Sequence, residues 1–236
     1  MFKSVYNRCK LYLNSYATFG TIFIILVLLI VPTFEYKSSN GFFFNIRYAC
    51  QNSLVIRGVL LLYVYTIWSY LKKYKNNTYQ AHRYGNVKLL IRNNICDVLF
   101  LGLTLETVFL LLNATAAMVF NDGYYFGVYQ YYNISNLNYL ICLIIIRYII
   151  VSLVSLMVYF IFHTDKKVLK LVLFLLMVFN IMGFFDDYPI TFFTLLSGYK
   201  FKSFIFEIVY VTFLLIIYVF GLIIVKKKFI NKKRDL

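Results

Sequence analysis

Acidic side chains are scarce in this chain. Nine Asp and Glu stand against 24 Lys and Arg in 236 residues, and charged residues of both signs make up only 14%. That is too little polar surface to cover a soluble globule, so a water-soluble fold is excluded. Histidine is nearly absent: His82 and His163 are the whole complement, and neither sits in an HExxH or comparable spacing, so no metal site is expected. The four cysteines, Cys9, Cys50, Cys96 and Cys142, show no CxxC spacing. They are expected to act as small apolar side chains, with a bridge between Cys50 and Cys142 near the outer face as the alternative. No GxxxxGK(S/T) phosphate loop and no GxSxG nucleophile elbow occurs. Asp186 and Asp187 are adjacent, diverge on a helix and read as a helix cap better than as an acid/base pair. Without a reactive constellation, the chain is not expected to be an enzyme.

What the sequence has in abundance is apolar length. Hydrophobic residues make up 62% and mean hydropathy is +0.75. A bilayer core needs about 20 helical residues to cross it. Six charge-poor runs near that length lie at roughly 18–32, 53–71, 98–120, 138–162, 168–185 and 203–225. Their apolar residues continue all round the helix instead of alternating, which excludes a transmembrane barrel. The expectation is an all-α membrane protein of six transmembrane helices forming one domain over residues 1–236. No cleavable signal is expected, because the first apolar run follows a polar, basic stretch and lacks a small-residue cleavage pattern.

Orientation follows from the cations. With loops assigned alternately to two sides, eighteen of the 24 fall on one: Lys3, Arg8, Lys10, Lys72, Lys73, Lys75, Arg83, Lys88, Arg92, Lys166, Lys167, Lys170, Lys226, Lys227, Lys228, Lys232, Lys233 and Arg234. The other holds Lys37, Arg47, Lys200 and Lys202. By the positive-inside rule both termini are cytoplasmic, and the basic excess belongs to the membrane surface, not to nucleic acid.

The segment "AHRYGNVKLLIRNN", residues 81–94, then lies in the cytoplasm between the second and third spans. As a helix it gathers Tyr84, Val87, Leu90, Ile91 and Ile95 on one stripe, with Lys88 and Arg92 beside it. Two readings stay open: an interfacial helix on anionic lipid, or a docking helix whose ridge fits a cytoplasmic partner.

Four charges lie inside the spans: Arg57, Glu106, Arg147 and Glu207. Such groups are costly in hydrocarbon unless they snorkel or pair. At 1.5 Å per residue, Arg57 and Glu207 each sit about 6 Å inside the outer boundary and are placed to pair. Glu106 lies about 12 Å and Arg147 about 22 Å from the inner boundary, so these two are not expected to meet without a helix shift. Interhelical glue and a place on a substrate path are the alternatives.

The layout resembles the membrane subunits of ABC transporters of the type-2 exporter class, in the small form common in Gram-positive bacteria. The resemblance rests on the amphipathic N-terminal segment "FKSVYNRCKLYLNSY", six spans with both ends inside, "RYGNVKLLIRN" after the second span, the hairpin "FHTDKKVLK" and the basic end "VKKKFINKKRDL". It implies that Arg83, Tyr84, Gly85, Val87, Lys88, Leu90, Ile91 and Arg92 form a coupling helix gripped by a separate ATPase, which would supply ATP and Mg. It also implies a second permease copy or related subunit, a place in the bacterial plasma membrane and an outward direction. A re-entrant outer segment before the last helix, with Ile190 to Leu196 as its apolar core between Pro189 and Gly198, is a further parallel. A stand-alone immunity or sensing protein without an ATPase, and an intramembrane enzyme, are the competing readings.

Overall fold

A computed structural model describes residues 2–13, 16–35, 42–75, 87–120, 128–129, 134–164 and 167–182, with isolated positions between 209 and 223. These residues are almost wholly helical: α1 (Phe2–Leu13), α2 (Tyr16–Glu35), α3 (Phe42–Gln51), α4 (Ser53–Lys75), α5 (Val87–Phe120), α6 (Asn136–His163) and α7 (Lys167–Met182). Between α5 and α6 lies a short antiparallel pair, β1 (Val128–Tyr129) and β2 (Ile134–Ser135), with Val128 opposite Ser135.

Three helical stretches, Ser53–Lys73, Arg92–Val119 and Leu140–His163, are long and apolar enough to cross a membrane. The apolar part of α2, Thr18–Ile30, and the 16 residues described for α7 are shorter. The sixth run, 203–225, lies almost entirely outside the described residues, as do both acids of the Asp186–Asp187 pair and the re-entrant segment.

The bundle has an apolar core that also holds its buried polar side chains, and it turns further apolar side chains outward. Glu106, Arg147, Asn113, Ser155 and Thr66 are buried, while Phe19, Phe23, Leu111, Val119, Ile145 and Val168 are exposed. Water would reward the reverse distribution; lipid rewards this one, because polar groups then find protein partners and apolar groups meet acyl chains.

α5 and α6 run antiparallel in contact, with α4 against α6 and α2 closing over α4 and α5. Gly102 is the reason for the close approach of α5 to α6. A methyl group there would run into the Ser155 hydroxyl, with Val151 Cγ1 only 3.3 Å away. Small residues at such crossings bring helix backbones together where no hydrophobic force separates helix from lipid.

The stretch 33–52, expected as an outer loop, contains α3, which packs into the bundle. Phe42, Ile46, Ala49 and Cys50 form a buried stripe, and Arg47, counted from sequence among outer-loop cations, is itself buried, its Nη1 donating to Gln51 Oε1 at 2.7 Å. α3 leads into α4 through the single residue Asn52. Its N–H still donates to Tyr48 O (2.8 Å), while its Oδ1 accepts from Leu54 N–H at 3.0 Å and caps α4.

The N-terminal segment forms the expected amphipathic helix. Val5, Cys9 and Tyr12, spaced 4 and 3 apart, turn inward, while Tyr6, Asn7 and Lys10 are exposed. Tyr12 Oη donates to Thr66 O (2.8 Å) on α4. Thr18 Oγ1 donates to Tyr12 O (2.8 Å), closing the corner between α1 and α2.

Candidate functional site

The chemistry of the described residues concentrates where α3, α4, α5 and α6 meet. Arg147 on α6 and Glu106 on α5, both fully buried, form an ion pair: Nε donates to Glu106 Oε1 at 2.6 Å and Nη2 to Oε2 at 3.3 Å. This two-pronged geometry suits a guanidinium. Tyr63 Oη on α4 donates to the same Oε2 at 2.9 Å. Arg147 Nη1 donates to Cys50 O at 3.1 Å, and the guanidinium lies 4.3 Å from the Phe109 ring centroid. The break at Asn52 supplies the acceptor, because carbonyls in the last turn of α3 are not all consumed by helical bonds.

Asn113, one heptad beyond Glu106 on α5, continues the cluster. Its Nδ2 donates to Ile46 O (3.0 Å) and lies 3.3 Å from Cys50 Sγ. Two side chains from the spans therefore hold the second half of α3 by its carbonyls, at Ile46 and at Cys50. Burial pushes the Cys50 thiol up to about 11, against the opposing pull of Arg147. All four cysteines are free thiols.

The meeting of Glu106 with Arg147 corrects the sequence-based expectation that their depths keep them apart. The boundary is the cause: the sequence run starts at residue 98, whereas the stretch of α5 able to cross a membrane starts at Arg92. In the structure Asp97 is buried inside the bundle, where Tyr70 Oη donates to its Oδ2 at 3.1 Å and Cys9 Sγ lies 3.9 Å from its carbonyl. Counted from Arg92, Glu106 lies 14 residues or about 21 Å from the inner end, close to the depth of Arg147. Glu106 thereby faces Arg147, and Thr107 bonds Tyr148 at 3.0 Å next to the pair.

Of the other sequence-selected residues, Arg57 is half-buried on α4 and Glu207 lies outside the described residues. In the coupling segment, Arg83, Tyr84 and Gly85 lie outside them too. Val87, Lys88, Leu90 and Ile91 form the opening of α5, and Arg92, one residue on, is exposed. From Val87 onward this segment is not a separate helix: it is the beginning of a 34-residue helix that contains Glu106.

Sequence reading missed Tyr63, Asn113, the Cys50 carbonyl as acceptor for Arg147 and the Tyr70–Asp97 contact. A signal for part of this existed in the 4, 3, 4 spacing of Gly102, Glu106, Phe109 and Asn113, which puts a gap, an acid, an aromatic and an amide on one face of α5. Among the described residues no group of three or more His, Cys, Asp or Glu is placed to hold a metal ion. No family model, curated protein or solved structure matches this chain.

Proposed function

We propose that the chain is the membrane-spanning subunit of an ATP-driven exporter, with six spans and both termini cytoplasmic, moving an amphipathic substrate such as a peptide or a lipid-like toxin. ATP and Mg would be bound by a separate ABC ATPase subunit. A second copy or a related permease subunit would complete the translocator, which belongs in the plasma membrane. The observation that carries this reading is the continuity of α5. The segment matched to a coupling helix opens, at Val87, a helix unbroken through Glu106 to Phe120. At 1.5 Å per residue that is a rod of about 50 Å. A force applied by a partner at Val87 to Arg92 would reach the Glu106–Arg147 pair without an intervening hinge, which is the mechanical property a coupling element requires. α1 and the spans Ser53–Lys73, Arg92–Val119 and Leu140–His163 also suit the expected layout.

The test is affinity purification of the chain from its native membrane in mild detergent. An ABC ATPase subunit is expected to come with it, and replacement of Tyr84 and Gly85 is expected to release that subunit. An impermeant thiol reagent applied to intact cells is expected to leave a cysteine placed at Asn86 unmodified.

A second reading, a stand-alone membrane immunity or sensing protein, is favoured by one observation. Both oxygens of Glu106, and Arg147 Nε, Nη1 and Nη2, are already engaged with protein groups. That arrangement suits structural glue better than a substrate path. This reading expects the chain to purify alone and to keep its activity when Tyr84 and Gly85 are replaced.

A further inference from the structure

Trp68, the chain's one tryptophan, is half-buried toward the basic end of α4 and packs edge-on against Phe162 of α6, the ring centroids 5.1 Å apart. Lys170 of α7 completes this joint. Its Nζ lies 5.1 Å from the Trp68 centroid and 5.3 Å from that of Phe162, and it donates to Phe162 O at 3.4 Å. An ammonium carries three donors, so the carbonyl leaves two of them to other acceptors. Lys170 is itself only half-buried: three helices fix the charge without enclosing it. The Trp68 indole N–H makes no hydrogen bond among the described residues, so it is a further donor at the same spot.

The same face of α4 carries a second cation. Lys72 stands four residues beyond Trp68, about 40° round the helix and about 6 Å along it, so the two are surface neighbours. It is exposed and makes no ion pair among the described residues. The turn from His163 to Lys170 holds three lysines against the single Asp165, so it stays cationic. In the other direction Tyr65 and Leu61, at spacings of 3 and 4, continue the stripe and are 61% and 36% exposed. On α7, Phe174 lies four residues beyond Lys170 and is also exposed. Along α4 the order is cation, aromatic, aliphatic, which is the order of environments from headgroup to acyl chain. α1 leaves this stripe open. It docks through Tyr12 on the Thr66 carbonyl and the Tyr70 ring, and Tyr70 lies about 160° round α4 from both Trp68 and Lys72.

We infer that the edge of the bundle at Trp68 binds an anionic phospholipid, its headgroup phosphate taken by Lys170, Lys72 and the indole N–H, with an acyl chain along Tyr65 and Leu61. The inference does not depend on the exporter reading. A free anion would use the donors and leave the exposed stripe beside them idle; a lipid uses both. Each cation strengthens binding of an anionic lipid by about fivefold, and salt screens the effect.

The test uses Trp68 as its own reporter. The full chain is reconstituted in phosphatidylcholine bilayers containing rising fractions of phosphatidylglycerol or phosphatidylcholine brominated on the acyl chain, which quenches an indole on contact. At low salt brominated phosphatidylglycerol is expected to reach half of its quenching at a fraction at least about tenfold lower than brominated phosphatidylcholine, and high salt is expected to narrow the gap. Lys72→Gln, which disturbs no described contact, is expected to reduce that preference about fivefold, and adding Lys170→Gln to abolish it. Lys72→Arg should keep it, and so should Lys10→Gln, which removes an exposed cation from α1 across the helix. Equal quenching by the two lipids in the natural chain overturns the proposal, as does an undiminished preference in Lys72→Gln. A loss in Lys10→Gln as large as in Lys72→Gln also overturns it, since general surface charge would then be the cause. So does inorganic phosphate, at matched ionic strength, abolishing the preference, which would make this a site for a free anion.

Discussion

Arg147 and Glu106 face each other across the α5–α6 crossing with no exposed surface on the acid and almost none on the base. A buried pair of this kind contributes little net stability, because each ion gives up its hydration, yet each makes the other indispensable. The two are also not equivalent. A carboxyl left alone in an apolar interior can take up a proton, whereas a guanidinium cannot shed one.

Glu106→Leu, which strands the guanidinium, is therefore expected to cost about 3–5 kcal/mol of folding stability. Arg147→Met should cost less, because Tyr63 still donates to the carboxylate that is left. The double variant is expected to lie closer to the natural chain than Glu106→Leu does, with a residual loss of about 1–3 kcal/mol, since the Cys50 carbonyl loses Arg147 and Tyr63 Oη keeps only its 3.3 Å bond to Leu105 O. A double-mutant cycle on unfolding in detergent measures this ordering, and additive single losses would refute it.

The raised Cys50 thiol gives a pH signature. In the folded chain it stays protonated up to about pH 11, against 9.0 for the ordinary group. The unfolded chain thus ionises first, so this residue's contribution is fully present below about pH 9 and falls as pH rises from 9 toward 11. Peptide mapping after iodoacetamide treatment is expected to find Cys50 unlabelled in the folded chain at pH 8 and labelled once denaturant is added. Cys96 and Cys142, which are only half-buried, should label ahead of it in the folded state.

How much of this was legible in the sequence varies with scale. Apolar runs locate α2, α4, α6 and α7, and the 4 and 3 spacing of Val5, Cys9 and Tyr12 gives α1 its inward face. Asp97 shows where hydropathy fails: a charge normally ends a span, and tertiary contacts, the one with Tyr70 among them, make it an interior residue. α3 was hidden for a related reason, since Asn45, Arg47 and Gln51 give it the polarity of a loop although the bundle buries all three. Tyr63 was illegible because the chain holds 23 tyrosines, most of them compatible with a membrane belt, and nothing local distinguishes the one that meets Glu106. Pairwise register decides such contacts, and register is a property of helix packing.

Lys170 near the start of α7 offers a spectroscopic handle. Its Nζ lies 5.1 Å from the centroid of Trp68 and 5.3 Å from that of Phe162, and donates to Phe162 O at 3.4 Å. Trp68 is the chain's one tryptophan, so intrinsic fluorescence reports this joint between α4, α6 and α7. Lys170→Met is expected to lower the unfolding midpoint followed by that fluorescence, by an equivalent of about 0.5–1 kcal/mol, with Lys170→Arg retaining most of the effect. An unchanged midpoint in the methionine variant would show the contact to be energetically idle.

Gly102 tests whether helix approach sets the position of the ion pair. Ser155 Oγ occupies the space a side chain at 102 would need, held there by its bond to Val151 O at 2.7 Å. Rotating the hydroxyl away would break that bond and still leave Val151 Cγ1 at 3.3 Å and Ser155 Cβ at 3.4 Å from the new methyl group, so α5 and α6 must part slightly. Gly102→Ala is expected to destabilise the chain by about 1–3 kcal/mol. Ser155→Ala removes the worst contact, and the double variant is expected to recover most of the loss. Glu106 lies one helical turn beyond Gly102 on the same face, so the separation also stretches its bonds to Arg147. Adding Gly102→Ala to the Glu106→Leu, Arg147→Met background should consequently cost less than adding it to the natural chain. Equal costs in both backgrounds would mean that the crossing and the ion pair are independent.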